Sequence, residues 1–251
     1  MVELTADSMP VHPLRVTAVL RHGVVMDRRG GIALDGLLAS AVRTHAAAGR
    51  RASVIDGGQR GAQVHEWPLP LARCEMAGVT DWHWLCTQAR PLGANGEPIV
   101  DDPEIHYMLQ RARVDRWRHA AVRVPARVPH TKGRYQNRIT PMVVLPAAVL
   151  EWLAVGNRDR VADLVATVHN VGGQRGTGEG VVDEWVVTRV QNPELHHGHL
   201  HQDGLPGRPL LPECWDACGL PDFHTVTAGL RPPLWHPAMQ HAMCILREPY
   251  E

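Results

Sequence analysis

Val149-Leu-Glu-Trp-Leu-Ala-Val-Gly-Asn-Arg-Asp-Arg-Val161 opens the stretch that decides the fold, and Val171-Gly-Gly-Gln-Arg-Gly-Thr-Gly-Glu-Gly-Val181 closes on its last strand. The first seven residues are apolar except Glu151 and suit a strand. Gly156-Asn157 then supplies a turn and an N-cap before Arg158. Val161, Leu164, Val165 and Val168 recur at i, i+3, i+4 and i+7, which predicts an amphipathic helix ending between Asn170 and Gly173. A glycine-rich loop follows, and Val181 to Val190 reads as a strand.

Upstream, Leu14, Val16, Ala18 and Leu20 alternate with Arg15, Thr17 and Arg21, the period of a half-buried strand. Leu34, Leu37, Leu38, Ala41 and Val42 are spaced for a helix ending near Gly49. Trp67-Pro-Leu-Pro-Leu and Trp82-His-Trp-Leu-Cys-Thr read as two further strands, the prolines confining the first to an edge. The expected fold class is therefore α+β, in the ferredoxin-like (RRM-like) order strand, helix, strand pair, strand, helix, strand. An arginine-rich insertion at about 101–140 interrupts it. The expected division is a domain over 1–190 and, over 191–251, a Pro/His-rich C-terminal extension or small second domain.

The chain has 251 residues, 44% of them hydrophobic, and a formal charge of zero, so composition signals neither a globally basic nucleic-acid binder nor a disordered acidic protein. Charge is instead local. From Glu104 to Arg138, Arg111, Arg113, Arg116, Arg118, Arg123, Arg127, Lys132, Arg134 and Arg138 stand against only Glu104 and Asp115. Such a stripe attracts phosphates by counterion release, while Tyr107, Trp117 and Tyr135 offer stacking surfaces for unpaired bases. Its bland reading is a solvated face paired with acidic neighbours, but two acids are too few to neutralise it. No run of apolar residues is long enough to span a bilayer and no signal peptide is evident, so a cytoplasmic protein without membrane contact is expected.

In the glycine-rich loop, Gly172, Gly173, Gly176, Gly178 and Gly180 permit positive φ and close approach, leaving amides to point at phosphate oxygens, and Arg175 adds a forked donor. The loop is no P-loop, since Gly-Lys-Ser/Thr is absent, and no dinucleotide loop, since it follows a helix and opens a strand. Turn geometry alone would account equally well for its glycines.

The segment from Val149 to Val190 resembles the closing half of RAMP-superfamily proteins: a Trp-containing strand, a helix, and an Arg-containing Gly-x-Gly-x-Gly loop leading into a strand. Ile32-Ala-Leu-Asp35-Gly-Leu-Leu-Ala39, Arg208-Pro-Leu-Leu-Pro212 and Arg231-Pro-Pro-Leu-Trp235 extend the resemblance from about Leu14 to Leu246, most closely to the Cas-five-like subunit of type IV CRISPR complexes. That resemblance implies a non-catalytic, CRISPR RNA-binding subunit that caps the 5′ handle of the guide. Its partners would be a filament-forming RAMP backbone subunit and other effector subunits. The RNA would be contacted by Gly172, Gly173, Gln174, Arg175, Gly176, Thr177, Gly178 and Gly180, and by the insertion through Arg111, Arg113, Arg116, Arg118, Arg123, Lys132, Arg134 and Arg138. No cofactor is expected.

Two alternatives stand beside this reading. Some RAMP relatives are metal-independent repeat-RNA endoribonucleases, for which His22 and His45, helped by Tyr135 or Lys132, are the candidates. A small-molecule or metal-binding α+β protein is the other. His199, His201, Cys214 and Cys218, within the tract that also holds His196 and His197, are possible zinc ligands, as are Cys74, His83 and Cys86. Crowded histidines in a Gly/Pro-rich segment are as readily a solvated tract. The tryptophans at 67, 82, 84, 152 and 185 read as core.

Overall fold

The computed structural model describes residues 10–26, 31–48, 67–76, 78–99, 104–110, 138–173, 178–191 and 197–247. In chain order its elements are β1 (His12–Leu20), β2 (Val24–Val25), α1 (Leu34–Ala48), β3 (Arg73–Glu75), β4 (Trp82–Trp84), β5 (Arg90–Leu92), β6 (Glu104–Gln110), β7 (Arg138–Leu145), β8 (Val149–Gly156), α2 (Arg158–Val165), β9 (Val182–Arg189), α3 (Pro212–Ala217), β10 (Phe223–Gly229), a 3-10 turn at Pro237–Met239, and β11 (Gln240–Leu246). The fold is α+β, with antiparallel sheets and few helices.

Its largest sheet has the order β5-β8-β1-β9, and β1 runs antiparallel to both neighbours. The alternation in β1 is realised: Leu14, Val16 and Ala18 are fully buried while Arg15, Thr17 and Val19 are half-buried. α1 and α2 pack side by side, and α1's Leu34 and Leu38 and α2's Val161 and Val165 share one core with Leu14, Val16, Leu150 and Trp152. The Trp152 indole N–H donates to Ile32 O at 2.7 Å, and that of Trp185 to Val168 O at 2.8 Å, so the buried Trp152 and the half-buried Trp185 leave no stranded donor.

β8 is apolar almost throughout because both of its faces are covered, and this abolishes the alternation a one-sided strand would show. Leu150, Trp152 and Ala154 meet the helices. Val155 belongs to a second cluster built with Leu210, Leu211, Trp215, Leu230 and Met243 of the C-terminal segment. That segment carries α3 and the β10–β11 hairpin.

Asn157 caps α2 as expected, its side-chain oxygen accepting from Arg160 N at 3.1 Å. The helix stops at Val165 rather than running toward Asn170, leaving Val168 beyond its end, where the Val168 carbonyl serves the Trp185 indole instead. Trp67 to Leu71 is not the expected edge strand. Only Leu71 makes an isolated bridge, to Gly156, and the sheet edge is taken by the three residues of β5. Of the expected pair only Trp82 onward is a strand, β4 over three residues, and it pairs with β3 instead of residues 67–71, in a separate small sheet. Both ends of the insertion are strands, β6 and β7, which pair with each other, and β7 pairs also with β2. Residues 111–137, and with them Arg111, Arg113, Arg116, Arg118, Arg123, Lys132 and Arg134, lie outside the described residues, as does the side chain of Arg138.

Candidate functional site

The glycine-rich loop is pinned at both ends. Gly172 (φ +81°) packs so closely on β2 that a Cβ would stand 2.5 Å from Val25 O, and at Gly180 (φ +69°) it would stand 2.1 Å from Val171 O. The amides of Gly173 and Gly180 do not point outward for a phosphate. They donate to Val25 O at 2.7 Å and Gly23 O at 2.8 Å. These backbone bonds fasten the loop to the turn after β1, which corrects the expectation that its amides are generally free. Gly178 (φ +100°) alone of the described loop glycines with positive φ has open space where a side chain would go. Gln174, Arg175, Gly176 and Thr177 lie outside the described residues.

The same contacts bring the loop to the stem of the insertion. β2, which accepts from Gly173, pairs with β7. On β6, His106 Nδ1 lies 3.2 Å from the carboxylate of Glu179 in the loop. The described ends of the glycine-rich loop and the stem strands of the insertion thus lie against each other. Along this hairpin the even positions Met142 and Val144 are buried, whereas Ile105, Tyr107, Ile139 and Val143 are 59%, 69%, 69% and 44% exposed, an apolar outer face too large to leave without explanation.

A second cationic feature is built on tryptophans expected to serve core or subunit packing. The guanidinium of Arg73 lies 4.1 Å from the centroid of Trp82 and 5.2 Å from that of Trp84, and Arg231 lies 4.6 Å from Trp82. With Trp67 and Pro232 they line a cleft of about 170 Å³. Arginine on tryptophan is a favourable pairing, and Arg231 Nη1 also donates to Trp82 O at 3.2 Å.

His22 and His45 do not form a dyad that the structure displays. His22 is exposed in the turn after β1. His45, in the last turn of α1, lines a cleft between the two helices with Thr44, Thr167 and His169, and His22 is not part of its lining.

The Cys/His residues gather differently from either proposed set. Cys74, His83, His199 and Cys214 are all buried, and one ligand atom of each lies within 4.8 Å of the others. Cys74 Sγ is 3.8 Å from Cys214 Sγ, and His83 Nε2 is 3.1 Å from His199 Nε2. Cys74 and His83 are direct partners in the β3–β4 register. His199 sits in the turn after Gly198, which has a positive φ and where a Cβ would stand 2.9 Å from the Leu85 carbonyl carbon, and Cys214 lies in α3. Cys218, at the end of α3, touches His199 Nδ1 at 3.8 Å but stands outside the cluster. Cys86 instead contacts Arg208, and His201 is flanked by Arg90 and Asp203.

Electrostatics distinguish the members. The Cys74 thiol is pushed down to about 5 by a hydrogen bond from Cys214, against the effect of burial and with help from His199, while Cys214 is driven upward as the donor of that pair. Burial holds His83 well below its ordinary value, so it is a neutral imidazole with a lone pair to offer. Burial also raises Cys218, to about 11, and raises Cys86. Two half-sites were thus legible as separate sets, and neither spacing showed that they join. The signal that was available is the hairpin: once β3 and β4 are paired about the turn near Gly78, Cys74 and His83 must share a face.

No protein-family model matches the chain, and no curated protein matches it.

Proposed function

We propose that the chain is a non-catalytic RNA-binding subunit of a CRISPR ribonucleoprotein, a ferredoxin-like RAMP protein that holds the 5′ handle of a guide RNA. The observation that carries this reading is the junction of the glycine loop with the stem of the arginine-rich insertion, through Gly173 N to Val25 O and Glu179 to His106. Arg175 of the loop and the arginines of the insertion would concentrate phosphate-binding charge in two segments whose described ends adjoin, without making the whole chain basic.

The sheet supports the fold half of the reading. Taking β1, β5, β8 and β9 as the four strands in sequence, their order across the sheet is fourth, first, third, second, all antiparallel, with α1 and α2 as crossovers, an order that supports the ferredoxin-like reading. The exposed apolar face of the β6–β7 hairpin suits a neighbouring filament subunit, and the Arg73–Trp82–Arg231 cleft suits a stacked, phosphate-bearing strand end.

The test is binding of the purified chain, alone and with its neighbouring subunits, to repeat-derived RNA across a salt series. Salt-sensitive binding whose slope falls by about one for each phosphate contact removed is expected when Arg175 and the arginines at 111, 113, 116 and 118 are replaced. No binding even at low salt overturns the reading. RNA cleavage that survives chelation and is lost in His45→Ala overturns its non-catalytic part.

A further inference from the structure

We infer that Cys74, His83, His199 and Cys214 bind one structural Zn²⁺ ion that fastens the β3–β4 hairpin to the C-terminal segment.

The donor set and its spacing carry this. Zinc with thiolate at about 2.3 Å and imidazole at about 2.05 Å in a tetrahedron requires S···S near about 3.8 Å and N···N near about 3.3 Å. The observed separations are 3.8 and 3.1 Å. The four residues converge from three places, a hairpin register pair, a glycine-dependent turn and a short helix, and all four are 95% buried or more. A hydrophobic core gains nothing from two thiols and two imidazoles turned toward one another, whereas a metal satisfies all four at once.

Other accounts of the cluster fit less well. A disulfide needs its sulfurs at about 2.05 Å and would leave the two imidazoles facing each other. His199 is steadied from behind: its Nδ1 contacts Cys218 Sγ, as an outer partner orients a ligating imidazole.

With four protein donors and burial on all sides, the site has no open position for water or substrate, and its role is structural. It joins Ala72, Cys74 and Leu85 to the second core, where the chain around His199 has little regular structure to hold it in place. Metal binding there is folding free energy. The inference is independent of RNA binding, and the two can fail separately.

The experiment measures metal by mass spectrometry in the full-length protein purified without added zinc, then exchanges it for Co²⁺. One zinc per chain is expected, with cobalt absorption showing tetrahedral geometry and thiolate-to-metal charge transfer. C74S and H83A should each reduce the content from one equivalent to none, while H201Q should retain it, which separates this set from one that includes His201. Should the ligand variants fail to fold, chelator titration of the native protein decides: release of one zinc accompanied by a fall in Tm, reversed by zinc, is expected. Protein that contains no zinc, takes up none and melts identically with and without chelator overturns the inference. So does a Cys74–Cys214 disulfide in the freshly purified chain.

Discussion

Arg208 Nη1 lies 3.2 Å from Asp35 Oδ2 with the two side chains 3% and 0% exposed, so the C-terminal segment and the first turn of α1 are joined by a buried ion pair. The same guanidinium donates to Leu230 O at 2.8 Å and to the carbonyls of Trp84 and Cys86 at 3.3 Å. Burial opposes its charge, but Asp35 and Cys86 outweigh that and raise its pKa. Two of the sequence segments that carry the RAMP resemblance therefore meet side chain to side chain.

Replacing Arg208 by methionine strands the Asp35 carboxylate and leaves three carbonyls short of a donor. The expected loss is about 3–5 kcal/mol of unfolding free energy, read from urea denaturation. A loss under about 1 kcal/mol would mean that the pair is not buried in solution as it is here. The double variant R208M/D35L should recover part of the loss and not all of it, because the Leu230 and Cys86 carbonyls still lack the guanidinium N–H groups.

Acid should weaken the protein before its carboxylates titrate. Burial, with Arg90 adding and Asp203 opposing, holds His201 down at about 4, and burial lowers His197, whose imidazole N–H donates to Leu14 O at 3.2 Å. The unfolded chain, with ordinary histidines near 6.5, then binds more protons than the folded one between those values. Stability is therefore complete above about pH 6.5 and is lost as pH falls toward 4. Urea midpoints measured from about pH 7.5 down to about 5 should decline, and H201Q should flatten the decline. An unchanged slope in H201Q would show that His201 does not contribute.

The loop glycines should divide by position. In G180A the new methyl meets Val171 O and the backbone must also hold a positive φ, whereas in G178A only the φ penalty of about 1–2 kcal/mol applies. G180A is expected to be the more destabilising in thermal melts. Equal losses would mean that the Gly180 contact relaxes at little cost.

N157A removes the oxygen that accepts from Arg160 N and should cost about 1 kcal/mol, while N157D should keep most of the stability. Both follow from denaturant midpoints, and a neutral N157A would place the end of α2 under tertiary control alone.

Much of the fold was written locally. The alternation of Leu14, Val16 and Ala18, the Asn157 cap and the helix beginning at Arg158 all depend on neighbours within a few residues, and the structure keeps them. The loop after α2 was legible for the same reason, but its amides were not. Whether Gly173 N faces a phosphate or Val25 O depends on β2, nearly 150 residues upstream. The edge strand was misplaced at Trp67 because proline marks an edge without saying which segment reaches it, and β5 is only three residues long. Arg73, Trp82 and Arg231 likewise gave no sign in sequence that they would stack.

By itself the sequence determined the strand, helix, loop and strand from Val149 to Val190, since backbone propensity, capping and apolar period act over a few residues. It also determined that positive charge would be concentrated between Arg111 and Arg138. Tertiary structure alone decided that Cys74 and His83 would meet His199 and Cys214 rather than Cys86, His201 or Cys218. Coordination is a matter of distance in space, and positions 74 and 214 carry no spacing that records it; only the pairing of β3 with β4 and the return of the C-terminal segment over β8 bring those atoms together.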